Sequence, residues 1–160
     1  MKRLALSLLV AFSSATWAHG DSPQAAKAVD YSKAEQTAYG IAADPRKAKK
    51  TVRLEMTDQM RFLPSEITVK QGEIVRLVAV NKGTILHEMV LGTMTELKEH
   101  AELMKKHAGM EHDEPYMVHV APGRKAELVW RFTKAGEFHY GCLVPGHLEA
   151  GMTGKVIVRP

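Results

Sequence analysis

Between Thr51 and Met56 the apolar residues Val52, Leu54 and Met56 alternate with Thr51, Arg53 and Glu55, the two-residue period of a strand with one buried face. Further short apolar, β-branched or aromatic runs follow at residues 67–69, 74–80, 86–91, 126–132, 138–142 and 156–158. Gln71-Gly72, Asn81-Lys82-Gly83, Pro122-Gly123 and Ala135-Gly136 punctuate them with turn chemistry. Short strands separated by such turns predict an all-β sandwich or barrel. One segment departs from the period. Residues 95–108 are dense in Glu, Leu, Lys, Ala and Met, and predict a helix inserted between strands. Its stripe is Met94, Leu97, Ala101, Met104 and Ala108, with Thr93 or Thr95 placed to cap its start and Gly109 to end it.

Upstream of the first alternation, residues 19–50 are rich in Ala, Lys, Ser, Gln and Asp, and are expected to form a mobile amino-terminal arm. Before that, Lys2 and Arg3 precede an apolar run from Leu4 to Phe12 and a small-residue stretch ending Thr16-Trp17-Ala18. This is the layout of an export signal over residues 1–18, with cleavage after Ala18 preferred and after Ala15 the alternative. The apolar run is too short for a stable membrane span, so no membrane insertion is expected after cleavage. Export by such a signal places the mature chain in the periplasm. Removing 18 of the 160 residues leaves 142, enough for one domain, expected over 51–160. Loss of Lys2 and Arg3 lowers the formal charge from +4 to +2. No basic cluster interleaved with aromatics is present, which argues against nucleic acid as a partner; Arg46-Lys47-Ala48-Lys49-Lys50 reads as a solvated stretch.

Export changes the meaning of the single cysteine. In an oxidising compartment cysteines usually pair, and Cys142 has no partner in its own chain. A metal would protect it. His147 and Met152 follow at five-residue steps, with Pro145, Gly146 and Gly151 able to turn the backbone so that the three side chains converge. His87, after the turn at 81–84, is the best candidate for a fourth ligand. Two imidazoles and a thiolate in a plane with a weak axial thioether suit copper in both oxidation states. Phe138 and Tyr140 share a strand face with Cys142 and would keep such a site dry. A Cys/His hydrolase pair is the catalytic competitor, but the loop offers neither a third orienting group nor an oxyanion pocket.

These residues match a known pattern. Phe138-x-Tyr140-x-Cys142-x4-His147-x4-Met152 with Asn81-x5-His87 resembles the cupredoxins, the type 1 blue copper proteins. The run Met56-x-Asp58-x-Met60-x-Phe62-x-Pro64 and His87-Glu88-Met89-Val90-Leu91-Gly92 are similar to those of exported cupredoxins linked to bacterial copper tolerance. The resemblance implies a Greek-key β-sandwich with one copper bound by His87, Cys142, His147 and Met152. Glu88 departs from the pattern, standing where plastocyanins carry an asparagine that braces the ligand loop.

The inserted segment adds a second candidate. His100, Met104, His107, Met110 and His112 would suit additional Cu(I), although methionine is more often core filler than ligand. Three roles follow. The protein handles copper in tolerance through redox cycling, or carries single electrons to a transient redox partner docking near His147 through Leu143, Val144, Pro145 and Leu148. A copper enzyme is the third, disfavoured because Gly141 and Leu143 rather than histidines flank Cys142.

Overall fold

The computed structural model describes residues 31–106 and 114–160. Among these residues ten strands form two five-stranded sheets with one α-helix. In the first sheet the order is β1 (Ile41–Ala42), β8 (Lys125–Arg131), β5 (Ile74–Asn81), β2 (Lys50–Thr57) and β3 (Arg61–Leu63). In the second it is β4 (Glu66–Lys70), β10 (Thr153–Arg159), β9 (Gly136–Gly141), β6 (His87–Gly92) and β7 (Met117–Val120). β2 runs parallel to β5 and β10 to β4, while the remaining pairs are antiparallel. This is the all-β, cupredoxin-like Greek-key sandwich with a helical insertion.

Period-two patterning sets the inner faces. Leu54 and Met56 of β2, Ile67 and Val69 of β4, Val75, Leu77 and Ala79 of β5, Phe138 and Tyr140 of β9, and Val156 and Val158 of β10 meet in one core. β6 is different, being buried along its whole length. Met89 and Leu91 face the sandwich core, whereas Val90 belongs to a second cluster with Leu97, Ala101, Met117 and Leu143. The helix α1 (Met94–Lys106) covers that outer face, with Leu97 and Ala101 inward. Of the anticipated stripe, Met94 and Met104 are half-buried, and Ala108 and Gly109 lie outside the described residues. Thr93 caps α1 in a reciprocal box: its Oγ1 accepts from the Glu96 N–H at 3.2 Å, and its own N–H donates to Glu96 Oε2 at 2.8 Å.

The expected arm needs correction. Residues 1–30 lie outside the described region, so the signal segment and the first part of the arm are untouched by these findings. Residues 31–50 are built into the fold. β1 pairs with β8, and the Ala43 N–H donates to the Val129 carbonyl at 2.9 Å. Tyr39, 4% exposed, stacks on Trp130 at 5.5 Å between ring centroids and meets Tyr116 edge-on at 6.1 Å. Gly40 permits this approach: at φ +141° a Cβ there would lie 2.2 Å from the Arg131 carbonyl oxygen. Average composition concealed one aromatic anchor, whose burial outweighs the polar residues around it. Three strands also escaped the pattern. β1 has two residues, β3 buries only Phe62, and β7 reads as part of a Met/His-rich insertion until its pairing with β6 is seen.

Replacing Tyr39 with Ala is expected to destabilise the protein by about 3 kcal/mol or more, as for other buried aromatic truncations. Chemical denaturation of the metal-free protein measures it; a loss near zero would restore the mobile-arm picture.

Candidate metal centre

The loop between β9 and β10 carries most of the site. Thr153 pairs with Gly141, so residues 142–152 close a hairpin between adjacent antiparallel strands. Cys142 donates its N–H to the Met152 carbonyl at 3.0 Å, and the Met152 N–H donates to the His147 carbonyl at 3.0 Å. The His147 N–H donates in turn to the Val144 carbonyl at 2.9 Å. Gly146 and Gly151, at φ +88° and +91°, make the reversals that this bonding requires. The backbone thereby ties positions 142, 147 and 152 to one another before any side-chain contact is counted.

His87 arrives from the other direction, at the start of β6. Asn81 holds the loop before it: Nδ2 donates to the Ile85 carbonyl at 2.7 Å and to the Val120 carbonyl at 2.8 Å, while Oδ1 accepts from the Gly83 N–H at 2.8 Å. Asp58 reaches in from the β2–β3 turn. Its Oδ2 accepts from the Thr84 N–H at 2.7 Å and the Thr84 hydroxyl at 2.8 Å, and its Oδ1 lies 3.2 Å from His87 Nε2. Those hydrogen bonds, with the Thr84 contacts foremost, hold the Asp58 carboxyl below the usual carboxylate range.

The result is a tight cluster. Cys142 Sγ lies 3.2 Å from His147 Nδ1 and 3.9 Å from His87 Nδ1. One donor atom from each of the three residues falls within 4.8 Å of the others, and the two imidazole centroids are 5.1 Å apart. His87, Cys142 and Met152 are fully buried, and only His147, at 8% exposure, touches the surface. Among the described residues this is the one grouping of three or more His, Cys, Asp or Glu donors close enough to share an ion.

Burial dominates the electrostatics of the cluster. Burial pushes the Cys142 thiol up to about 12, although it accepts the Glu88 N–H at 3.3 Å. Burial, reinforced by His87, lowers His147 below the ordinary histidine value, so this imidazole is neutral near pH 7. Two imidazole nitrogens and one thiol sulfur, with no carboxylate in the cluster, fit copper chemistry and not that of hard, oxygen-seeking ions.

Surrounding residues add features that the chain alone hid. Glu88 is buried and pairs with His119 Nδ1 at 3.1 Å across the β6–β7 ladder. α1 braces the hairpin loop: Leu143 lies beneath it, Leu148 packs on the same cluster, and Lys105 Nζ meets Glu149 Oε1 at 2.6 Å. Leu143 is therefore withdrawn from the anticipated docking surface, because its side chain is spent on packing against the helix. Leu86, anticipated as the first residue of a strand, instead precedes β6 and is exposed together with Ile85, next to His87 in the chain. His100 and Met104 are half-buried on α1, His100 lining a cleft of about 250 Å³ with Tyr39, Glu96 and Tyr116. His107, Met110 and His112 lie outside the described residues.

A buried imidazole–thiol–imidazole cluster at the end of a two-sheet sandwich defines a cupredoxin centre. The family of copper binding proteins described as plastocyanin/azurin matches residues 48–159, and the chain belongs to it. Among curated relatives, it is 52% identical over 141 residues to a copper-resistant cuproprotein CopI of Rubrivivax gelatinosus, covering 88% of this chain and 83% of that one. A protein of the same description from Pseudomonas aeruginosa is 35% identical, covering 81% and 87%. Among solved structures, auracyanin B superposes with TM-score 0.62 at 19% identity, covering 78% of this chain and 97% of that one. The dithionite-reduced auracyanin of Roseiflexus castenholzii gives 0.61 at 19% identity, covering 71% and 99%, so the likeness extends to the fold.

Because the Cys142 thiol is protonated at pH 7 and a metal takes the thiolate, copper loading is expected to release about one proton per chain. Calorimetry in buffers of differing ionisation enthalpy counts it. The raised thiol also sets a sign for stability: folded and unfolded states are equally protonated well below pH 9, so the metal-free protein loses stability as pH climbs from about 9 toward 12. An alkaline denaturation series that stays flat in wild type, or falls equally in Cys142→Ser, would contradict this.

Proposed function

We propose that this protein is an exported, periplasmic copper-tolerance protein that holds one type 1 copper with His87, Cys142, His147 and Met152 and works by redox cycling, without catalysing substrate turnover. The observation that carries the reading is the convergence of three soft or borderline donors within 4.8 Å in a buried pocket. The relatives described as copper-resistant cuproproteins support the tolerance role. Bound copper supplies a one-electron Cu(II)/Cu(I) couple. Each residue has a separate task. Cys142 provides the thiolate, with its charge partly satisfied by the Glu88 N–H. His87 is the buried imidazole and His147 the one reaching the surface, which makes its edge the shortest exit for an electron. Met152 is fully buried and backbone-bonded to both Cys142 and His147, and its thioether would be the weak fourth ligand. Phe62 and Tyr140, packed edge-on at 5.1 Å, help exclude water beneath Cys142.

A transient redox partner would meet the surface at the His147 edge, where Pro145 of the same loop is exposed, with exposed Ile85 and Leu86 preceding His87 in the chain. Apolar contact of this small extent suits brief association. Additional Cu(I) capture by the inserted segment is supported by His100 and Met104 lying one helical turn apart on α1. Among the described residues no helix is long and apolar enough to cross a membrane.

Cu(II) added to the mature chain is expected to bind one per site and to give an intense visible charge-transfer band. Cys142→Ser is expected to abolish the band and to weaken binding beyond the ~10–100-fold typical of losing a supporting partner. Copper-stressed cells lacking the protein are expected to recover growth with the wild-type chain and not with this variant. A band that survives the substitution would refute the assignment. For the inserted segment, unchanged total stoichiometry after joint replacement of His100, Met104, His107, Met110 and His112 would refute additional capture.

A further inference from the structure

The carboxylate of Asp58 is outside the donor cluster, yet it is held against the far side of the first imidazole. Its Oδ1 is 3.2 Å from His87 Nε2, the nitrogen opposite the one that faces Cys142 Sγ. Three features make the contact a built one. Thr84 anchors the other oxygen through both its N–H and its hydroxyl. Gly83 leaves room for it: a Cβ at that position would sit 1.8 Å from Asp58 Oδ1. Asn81 fixes Gly83 and Ile85 on either side of Thr84, so the loop cannot relax away from the carboxylate.

The chemistry of this contact follows from the donor inventory. A carboxylate accepts and cannot donate when ionised, so His87 Nε2 is the donor in this contact, and in the neutral ring Nδ1 is then the nitrogen whose lone pair faces the cluster. An imidazole whose remote N–H is bonded to a carboxylate is also a more basic ligand. Charge adds to this. With the thiolate counted, a copper centre carries +1 when oxidised and zero when reduced, and a nearby negative charge favours the first state over the second.

We infer that Asp58 is a positioning residue for the copper site, selecting the His87 tautomer and biasing the centre toward Cu(II). The inference rests on the copper reading given above. It assigns a task to the Asp58 of the Met56-x-Asp58-x-Met60 run that the ligand pattern leaves unused.

Two measurements decide it. In metal-free wild type, ¹⁵N-resolved NMR of His87 is expected to show the proton on Nε2 near pH 7; a proton on Nδ1 would overturn the tautomer claim whatever any variant does. In the copper-loaded protein, Asp58→Asn removes the charge and sets an amide donor against either the His87 ring N–H or the two Thr84 donors. The ratio of Cu(II) to Cu(I) affinity is expected to fall about tenfold, an upward shift of about 59 mV in the one-electron potential. A potential changed by less than about threefold in that ratio, or lowered, would overturn the bias. The visible band keeps this test separate from the site itself. If wild type and Asp58→Asn both retain a Cys142-dependent band at one copper per chain, the site stands and the potential alone judges Asp58. If wild type shows no such band, the copper reading fails first. Should Asp58→Asn not fold, the wild-type tautomer measurement still decides.

Discussion

The thiol of Cys142 is placed where water cannot solvate its ionised form, and the elements around it answer that demand. The backbone N–H groups of Glu88 and Val144 and two imidazole nitrogens approach the sulfur from different parts of the chain. Their convergence is a property of registers. β9 is paired with β6 so that Gly141 opposes Val90, and with β10 so that Gly141 opposes Thr153. These pairings bring the start of β6 and both ends of the hairpin loop to the same edge of the core. A slip of one residue in either ladder would turn Cys142 or His87 to the wrong face. Site and sandwich are in this sense one object, and a stiff donor set is what fast one-electron exchange requires.

The inserted helix belongs to the same mechanical unit. By covering the outer face of β6 it makes that strand buried on both sides, and by packing on Leu143 and Leu148 it holds the loop that carries His147. Lys105 and Glu149 add a charged tie at the rim, one exposed enough to contribute little by itself. The apolar contacts therefore do most of the bracing. Any event on the insertion, metal capture included, has a short physical route to the ligand loop.

The surroundings of the first imidazole are unusually acidic for a buried position. Asp58 contacts the ring, and Glu88, its chain neighbour, lies buried with His119 across the ladder. The two carboxylates differ in how they act. Asp58 bonds directly to His87, whereas Glu88 contributes its N–H to the sulfur and directs its carboxylate to the far face of the strand. Glu88 stands where plastocyanins carry an asparagine that braces the ligand loop, and Asn81, six residues before His87, braces a different segment, the 81–86 loop that leads into His87.

How much could be read without coordinates depended on whether the controlling physics was local. The alternation at 51–56, the runs at 74–80 and 126–132, and the helix-forming stretch with a threonine cap at 93 or 95 were visible because strand and helix periods are written residue by residue. So was the candidate quartet of His87, Cys142, His147 and Met152, since three of its members share one loop and soft-donor chemistry is carried by residue type. Tyr39 was invisible because a polar stretch around one aromatic reveals nothing about the Trp130 ring awaiting it. β7 and the burial of Leu143 depend on which surface α1 covers. Asp58 needed the tertiary fold most of all, because only the packing of the β2–β3 turn against the 81–86 loop brings a carboxylate 29 positions away to the back of His87. Local pattern determined the strands, the helix and the candidate donors; long-range packing decided the register, the loop's bracing and the charges that surround the imidazole.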